Sequence, residues 1–371
     1  MKRSVVVLTM LVLFSMIVTA CAQATATPEV VEKEVEVTRM VEETVVITAT
    51  PGAVEEVDMS SALKGKKLAG VLSGAVNDAG WNTQAYRAMV AARDKYGLDI
   101  AYTEHTKVED AAQVMRDYAD AGYDIIFAHG YEYADQIGQV SQEYPDLKFI
   151  QTNGSEGSIP NLYTITLSTG EGGYFMGRLA CQITKSNKIT IIGAEEFPIW
   201  SHHIAMFQQA CTDLGSSAEV SAAYVGSWND PAKAKELAAA AIAQGADVLV
   251  SNADAGDTGT IEAAKEAVSA NPDLYVRVIS WVKDKNYLAP DIVIGGWTED
   301  VSAELDYVLG QKIAKDEPGG HFAIGMKEGA AYMNPTYGLV PTDVEKDVVD
   351  LMAKYLADPT SIPTLVVRTD L

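Results

Sequence analysis

Basic residues and cysteine are scarce in this 371-residue chain. Only 28 Lys+Arg stand against 51 Asp+Glu, for a formal net charge of −23. Such a surface repels phosphate backbones, and no stretch forms the basic stripe that binding to nucleic acid or an anionic lipid surface requires. Three cysteines exclude a disulfide-built scaffold and a cysteine-based zinc module. The HExxH pattern is absent. His202 and His203, adjacent on a predicted helix, project about 100° apart and do not readily share a metal, so no metal site is expected. Also missing are a GxSxG elbow, a GxxxxGK phosphate loop and a GxGxxG turn after the first strand. The glycine-rich TGEGGYFMG lacks the lysine of a phosphate loop. These absences leave an enzyme reading without a nucleophile or cofactor loop. Paired carboxylates do not restore it, because they abound by composition alone. Beyond the N-terminus, no uncharged apolar run reaches the ~18 residues of a membrane span.

What is present begins with an address. Lys2 and Arg3 precede an uncharged, mostly apolar run from Val5 to Ala20, which reads as a signal peptide over 1–21. The run ends Val18-Thr19-Ala20-Cys21, and small residues before a cysteine here resemble the lipobox of bacterial lipoproteins. That resemblance implies acylation of Cys21, a lipid anchor and an extracytoplasmic, membrane-attached protein; an ordinary secretory signal with a chance cysteine is the alternative. Residues 22–62 read as an acidic tether. Residues 22–60 carry nine acidic against two basic side chains, and β-branched residues mixed with like charges make helix and strand both marginal. A short coiled coil is the other reading.

With 48% hydrophobic residues the remainder is globular, and its length suggests about two domains. From Lys66, apolar runs of four to seven residues alternate with amphipathic stretches of twelve or more. That alternation predicts α/β architecture, with parallel sheets covered on both faces by helices. Ligands of such sheets bind beyond the carboxyl ends of the strands. There the chain places its unusual residues: 77–81, 129–131, 226–230, 252–257 and 281–284.

The stretch VNDAGWNTQAYRAMVAARDKYG resembles the opening ligand loop and helix of the BMP family of ABC-transporter substrate-binding lipoproteins, the purine-nucleoside-receptor-like members of the type 1 periplasmic binding fold. AGYDIIFAHGYEYADQIGQVSQEYPDLKFI, NLYTITLSTGEGGYFMGRLACQITK, YVGSWNDPAKAKELAAAAIAQGADVLVSNAD and GMKEGAAYMNP follow in the family's order, so the resemblance covers most of 66–340. It implies two doubly wound parallel-sheet lobes joined by three crossovers, a ligand in the cleft between them, and delivery to a membrane permease driven by an ATPase. The lobes are expected at 63–168 with 283–318, and at 169–282 with 319–371. One departure stands out. Nucleoside-binding members end a strand in Gly-Val-Asp, whose aspartate grips ribose; here the strand reads Val278-Ile279-Ser280-Trp281-Val282-Lys283-Asp284. Gly80-Trp81, the Ser-Trp-x-Asp at 227–230, Asp254 and GMKEG resemble a branch thought to bind free purine bases. The expected ligand is therefore an adenine-like base, with a nucleoside second. A sugar or signalling molecule on the same fold is the alternative, and an extracytoplasmic nucleoside-processing enzyme is a weaker one.

Trp81 and Trp228 are expected to stack on a planar ligand, against the bland reading of core or loop packing. Asp78 and Asn82 either reach a base edge or satisfy their own loop. Asp254 is expected to accept from ligand N–H groups, against a helix-cap reading. Gly130 lets backbone approach a ligand, and Tyr131 covers the cleft. His129 either donates to the ligand or is bonded within its loop. Glu171 opens a helix, with structural and functional readings balanced. Asp230 before Pro231 reads as a helix cap as well as a candidate contact. Trp281 lines the pocket or plugs it, either way blocking a ribose-sized group, and Lys283 is a candidate contact. Cys181 and Cys211 lie on consecutive predicted helices and can pair in an oxidising compartment, although buried free thiols are commoner.

Overall fold

The computed structural model describes residues 60–78, 80–154, 158–167 and 170–363. The signal, Cys21 and all but the end of the tether lie outside the described residues. Helix α1 (Ser60–Leu63) leads into β1 (Lys67–Leu72). Then follow α2 (Trp81–Tyr96), β2 (Asp99–Thr103), α3 (Val108–Asp120), β3 (Ile125–His129), α4 (Ala134–Glu143), β4 (Lys148–Thr152) and β5 (Leu162–Leu167). The alternation continues with α5 (Glu171–Ile183), β6 (Lys188–Gly193), α6 (Pro198–Asp213), β7 (Glu219–Tyr224), α7 (Pro231–Ala243), β8 (Val248–Asn252), α8 (Asp257–Ala270), β9 (Arg277–Val282) and β10 (Val293–Glu299). The chain ends in α9 (Val301–Tyr307), β11 (Gly320–Ile324), β12 (Ala331–Met333) and α10 (Thr342–Ala357).

Two six-stranded sheets result, ordered β11-β5-β4-β3-β1-β2 and β12-β10-β9-β8-β6-β7. Every pairing is parallel except β10 with β12. Central strands such as β3 and β8 are buried throughout, while the edge strands β2 and β7 are partly exposed. This is why the inner strands read as unbroken apolar runs. The first sheet is sandwiched between a core shared with α2 and α9 and another shared with α3 and α4. The second lies between a core with α5, α6 and α10 and one with α7 and α8. The architecture is the type 1 periplasmic binding fold, with the chain crossing between sheets after β5, after β10 and after β11.

The last two crossings correct the expected lobe boundaries. Residues 293–299 belong to the second sheet, not the first, because β10 pairs in parallel with β9, Trp297 opposite Trp281. Gly296 allows that close pairing: it has φ +151°, and a Cβ there would sit 1.8 Å from Ser280 O. The chain leaves the second sheet only at Asp300, whose carboxylate caps α9 by accepting from Ser302 and Ala303 N–H. Residues 320–324 in turn pair with β5 in the first sheet. The tether also ends earlier than 62, since Ser60–Leu63 is helical and Leu63 is buried in the first-sheet core. Helix α9 is α-helical only to Tyr307, then widens into a π turn over Val308–Lys312. Cys181 on α5 and Cys211 on α6 are joined as a disulfide, Cα–Cα 5.6 Å, so the free-thiol expectation is corrected. The close packing of the two helices brings these positions together.

Candidate functional site

A cavity of about 620 Å³ opens where the carboxyl ends of the two sheets face each other. Its first-sheet wall is built on Trp81. The indole lies on the His129 imidazole with ring centroids 4.0 Å apart and planes 24° from parallel. His129 is fully buried, and burial pushes its pKa down to about 3, so the ring is neutral. Its Nε2–H donates to Trp81 O at 3.1 Å, and Nδ1 takes the Thr152 hydroxyl at 2.8 Å. Both ring nitrogens are therefore engaged, and His129 serves as the platform that holds Trp81.

Asp78 and Asn82 line the cavity, yet their polar atoms hold the loop. The Asp78 carboxylate accepts from the N–H groups of Gly80, Asn82 and Thr83, from the Asn82 carboxamide and from the Thr83 hydroxyl, at 2.8–3.0 Å. Burial raises its pKa, but these bonds outweigh burial and hold it below the usual value. Asn82 Oδ1 accepts from Gly74 N–H at 3.1 Å. The opening turn of α2, whose N–H groups lack intrahelical partners, is thus satisfied before any ligand arrives.

Three contacts join the walls. Asp254, in the left-handed region at φ +54°, accepts from Trp81 N–H at 3.2 and 3.4 Å. Its burial pushes its pKa up to about 6, opposed by nearby Lys285. The Tyr131 hydroxyl donates to Glu195 at 3.3 Å, and its ring stacks on Phe197 at 5.3 Å and 5°. Phe197 in turn meets Trp228 at 5.9 Å. Gly130, at φ +138°, precedes Tyr131 on the wall, and a Cβ there would meet the Glu132 carboxylate at 2.2 Å.

The second-sheet wall rests on Trp281, which packs edge-on against Trp200 at 5.0 Å and His203 at 5.1 Å. Its Nε1–H donates to Glu299 at 2.9 Å. Trp281 is therefore part of the wall and not a plug, and the cavity remains beside it. Burial lifts the Glu299 carboxyl to about 7. The same cause takes His203 down to about 3, so its 3.9 Å approach to Glu299 joins two poorly charged groups. Lys285 reaches the cavity from below, ion-paired to buried Asp257.

Three expected contacts lie off the cavity wall. Glu171 is buried at the start of α5, where it accepts from Met326 N–H at 3.1 Å and so links the first and third crossovers. Asp230 caps α7, its carboxylate accepting from Lys233 N–H at 2.9 Å. Lys283 follows Val282, a residue at φ +66°, and does not itself line the cavity. Phe197, Trp200, Lys285 and Glu299 line the cavity without being sequence candidates, and Asn252 falls only within the 252–257 stretch. Asn252 and Glu299 end β8 and β10, so the carboxyl-end rule was the available signal.

A family model described as ABC transporter substrate-binding protein PnrA-like, Bmp, matches residues 66–365. The chain is 26% identical over 302 residues to basic membrane protein A2 of Borrelia garinii subsp. bavariensis, covering 80% of this chain and 88% of that one. It is 26% identical over 285 residues to a purine-binding protein of Brucella abortus, covering 76% and 78%. An ABC transporter solute-binding protein from Aeropyrum pernix superimposes with a TM-score of 0.65 at 18% identity, over 80% of this chain and 87% of that one, a likeness of fold.

Proposed function

The chain belongs to the Bmp family of PnrA-like ABC transporter substrate-binding proteins, and from that premise we propose that it receives a purine base, adenine-like, or a purine nucleoside outside the cytoplasm. The observation that carries this is the cavity itself. Trp81 on its fixed histidine platform and Tyr131 stand on the first-sheet wall, and Phe197, Trp228 and buried Asp254 stand on the second-sheet wall. Aromatic faces hold a planar base by stacking, at about 1–3 kcal/mol per base, while carboxyls accept from its N–H groups. The purine-binding relative supports the same class. Contacts from both sheets to one ligand favour a closed form by hinge motion, and a permease recognises that form. The Cys181–Cys211 disulfide suits an oxidising compartment. Acylation of Cys21 holds the protein at the membrane; Cys21→Ser is expected to move it from the membrane to the soluble fraction, and unchanged partitioning contradicts the anchor.

A receptor returns its ligand intact. Protein incubated with adenosine and with guanosine, then denatured and analysed by mass spectrometry, is expected to yield bound, unaltered nucleoside or base as supplied. Release of free base from a nucleoside would mean an enzyme. The amides of Asn153, Asn229 and Asn252, which line the same cavity, favour a sugar as the second reading. Retention of glucose or galactose, with no purine retained, would establish it instead.

A further inference from the structure

Acids outnumber bases on the cavity wall. Asp78, Glu132, Glu195, Asp254 and Glu299 face Lys107 and Lys285. Asp78 is consumed by its loop, Lys285 is neutralised by Asp257, and Lys107 is exposed at the rim. Four carboxyls are left, none ion-paired to a lysine or arginine among the described residues. Asn252, 5% exposed, lines the same space, and its carboxamide has no hydrogen-bond partner among the described residues. These groups lie among aromatic faces, Trp81 on one wall and the Phe197–Trp228 pair on the other.

A cation between aromatic faces is attracted by the ring quadrupoles, more strongly once desolvated. Carboxylates beside it add charge-assisted hydrogen bonds. An anion such as a phosphate monoester meets repulsion from the same groups. We propose that the cavity selects for positive charge, taking a flat nitrogen heterocycle in cationic form, N-alkylated or N-protonated, in preference to its neutral counterpart. The proposal rests on the reading above only in placing a planar heterocycle in this cavity. The state of the acids agrees with it: burial, only partly offset at Asp254 by Lys285, holds Asp254 and Glu299 above the ordinary carboxyl range and raises Glu132. A bound cation supplies the missing partner.

Isomeric ligands isolate charge from size. 1-Methyladenosine is cationic at neutral pH and N6-methyladenosine is neutral; 3-methylcytidine and 5-methylcytidine form a second such pair. Calorimetric titration of the full chain at pH 7 is expected to show the cationic member binding at least about tenfold tighter in one or both pairs. That preference should shrink to about threefold or less in Glu299→Gln, and also with rising salt in the wild type. Asp254→Asn should act in the same direction; if it fails to fold, the Glu299 variant and the salt series decide. Equal binding, or preference for the neutral isomer in both pairs, overturns charge selection. If adenosine binds but neither pair discriminates by charge, charge selection alone fails. If no heterocycle binds, the purine reading fails and this inference fails with it.

Discussion

Gly80 is the residue at which the closed arrangement of the two walls is most exposed to a single atom. A Cβ at this position would lie 1.6 Å from Asp254 Oδ1 and 2.5 Å from its Cγ. No rotation of a methyl group relieves that overlap. The Asp254 carboxylate must turn aside and release its bonds to Trp81 N–H. Hydrogen bonds to a charged group contribute about 1.5–3 kcal/mol, so Gly80→Ala should weaken ligand binding by about 10- to 150-fold. Gly80 sits at φ −133° and ψ −126°, a pair outside the broad β and α regions of L-residues, so alanine adds backbone strain there, although none of the four cores contains the residue. The ligand-free melting temperature should therefore fall only by the several degrees that about 1–3 kcal/mol of backbone strain gives. Calorimetry and thermal unfolding on the same preparation separate the two effects. Unchanged affinity would refute the closing role of the Asp254–Trp81 contact, and a large loss of stability would show that Gly80 serves the fold instead.

The raised carboxyl of Glu299 makes stability fall as pH rises. Its folded pKa, about 7, exceeds the ordinary glutamate value of 4.5, so the folded state binds the extra proton between these values and stability declines across that window. At 1.36 kcal/mol per unit the upper bound is about 3 kcal/mol, and Glu299→Gln should flatten the melting profile between pH 5 and 7.5; an unaltered slope would assign the proton elsewhere. Reduction of the Cys181–Cys211 disulfide, which closes a loop of separation 30, should cost about 3–4 kcal/mol of stability, read as a lowered denaturation midpoint. A midpoint insensitive to reductant would contradict the pairing. Asp230→Ala should cost about 1 kcal/mol of stability through its lost helix cap and leave affinity unchanged, whereas a selective affinity loss would return Asp230 to the site.

The alternation of elements was legible because each element announces itself locally. Inner strands such as β8 are apolar runs, and helices such as α3 carry one buried stripe. Lobe membership was not legible to the same degree, because a strand's partner is a long-range choice. β10 joins the second sheet through a close approach of Gly296 to β9, and nothing in its own composition names that partner. The three-residue β12 is too short to carry a pattern. In the site, Trp81 and Asp254 stood out because rare residue types follow strands. What remained hidden was how polar side chains divide their bonds. Asp78 and Asp230 are both acids beside predicted helix starts, and both are occupied by backbone N–H groups, but only Asp78 also borders the cavity. Glu299 escaped notice because a carboxyl at the end of a buried strand resembles the start of the following helix.

The purine reading turns most directly on one calorimetric comparison. Adenine, guanine, adenosine and guanosine are titrated into ligand-free wild type and into Trp81→Ala. The account predicts saturable, one-to-one binding of at least one of the four, weakened by about 1–3 kcal/mol when the indole is removed. Binding of none of them, or binding indifferent to Trp81, would contradict it.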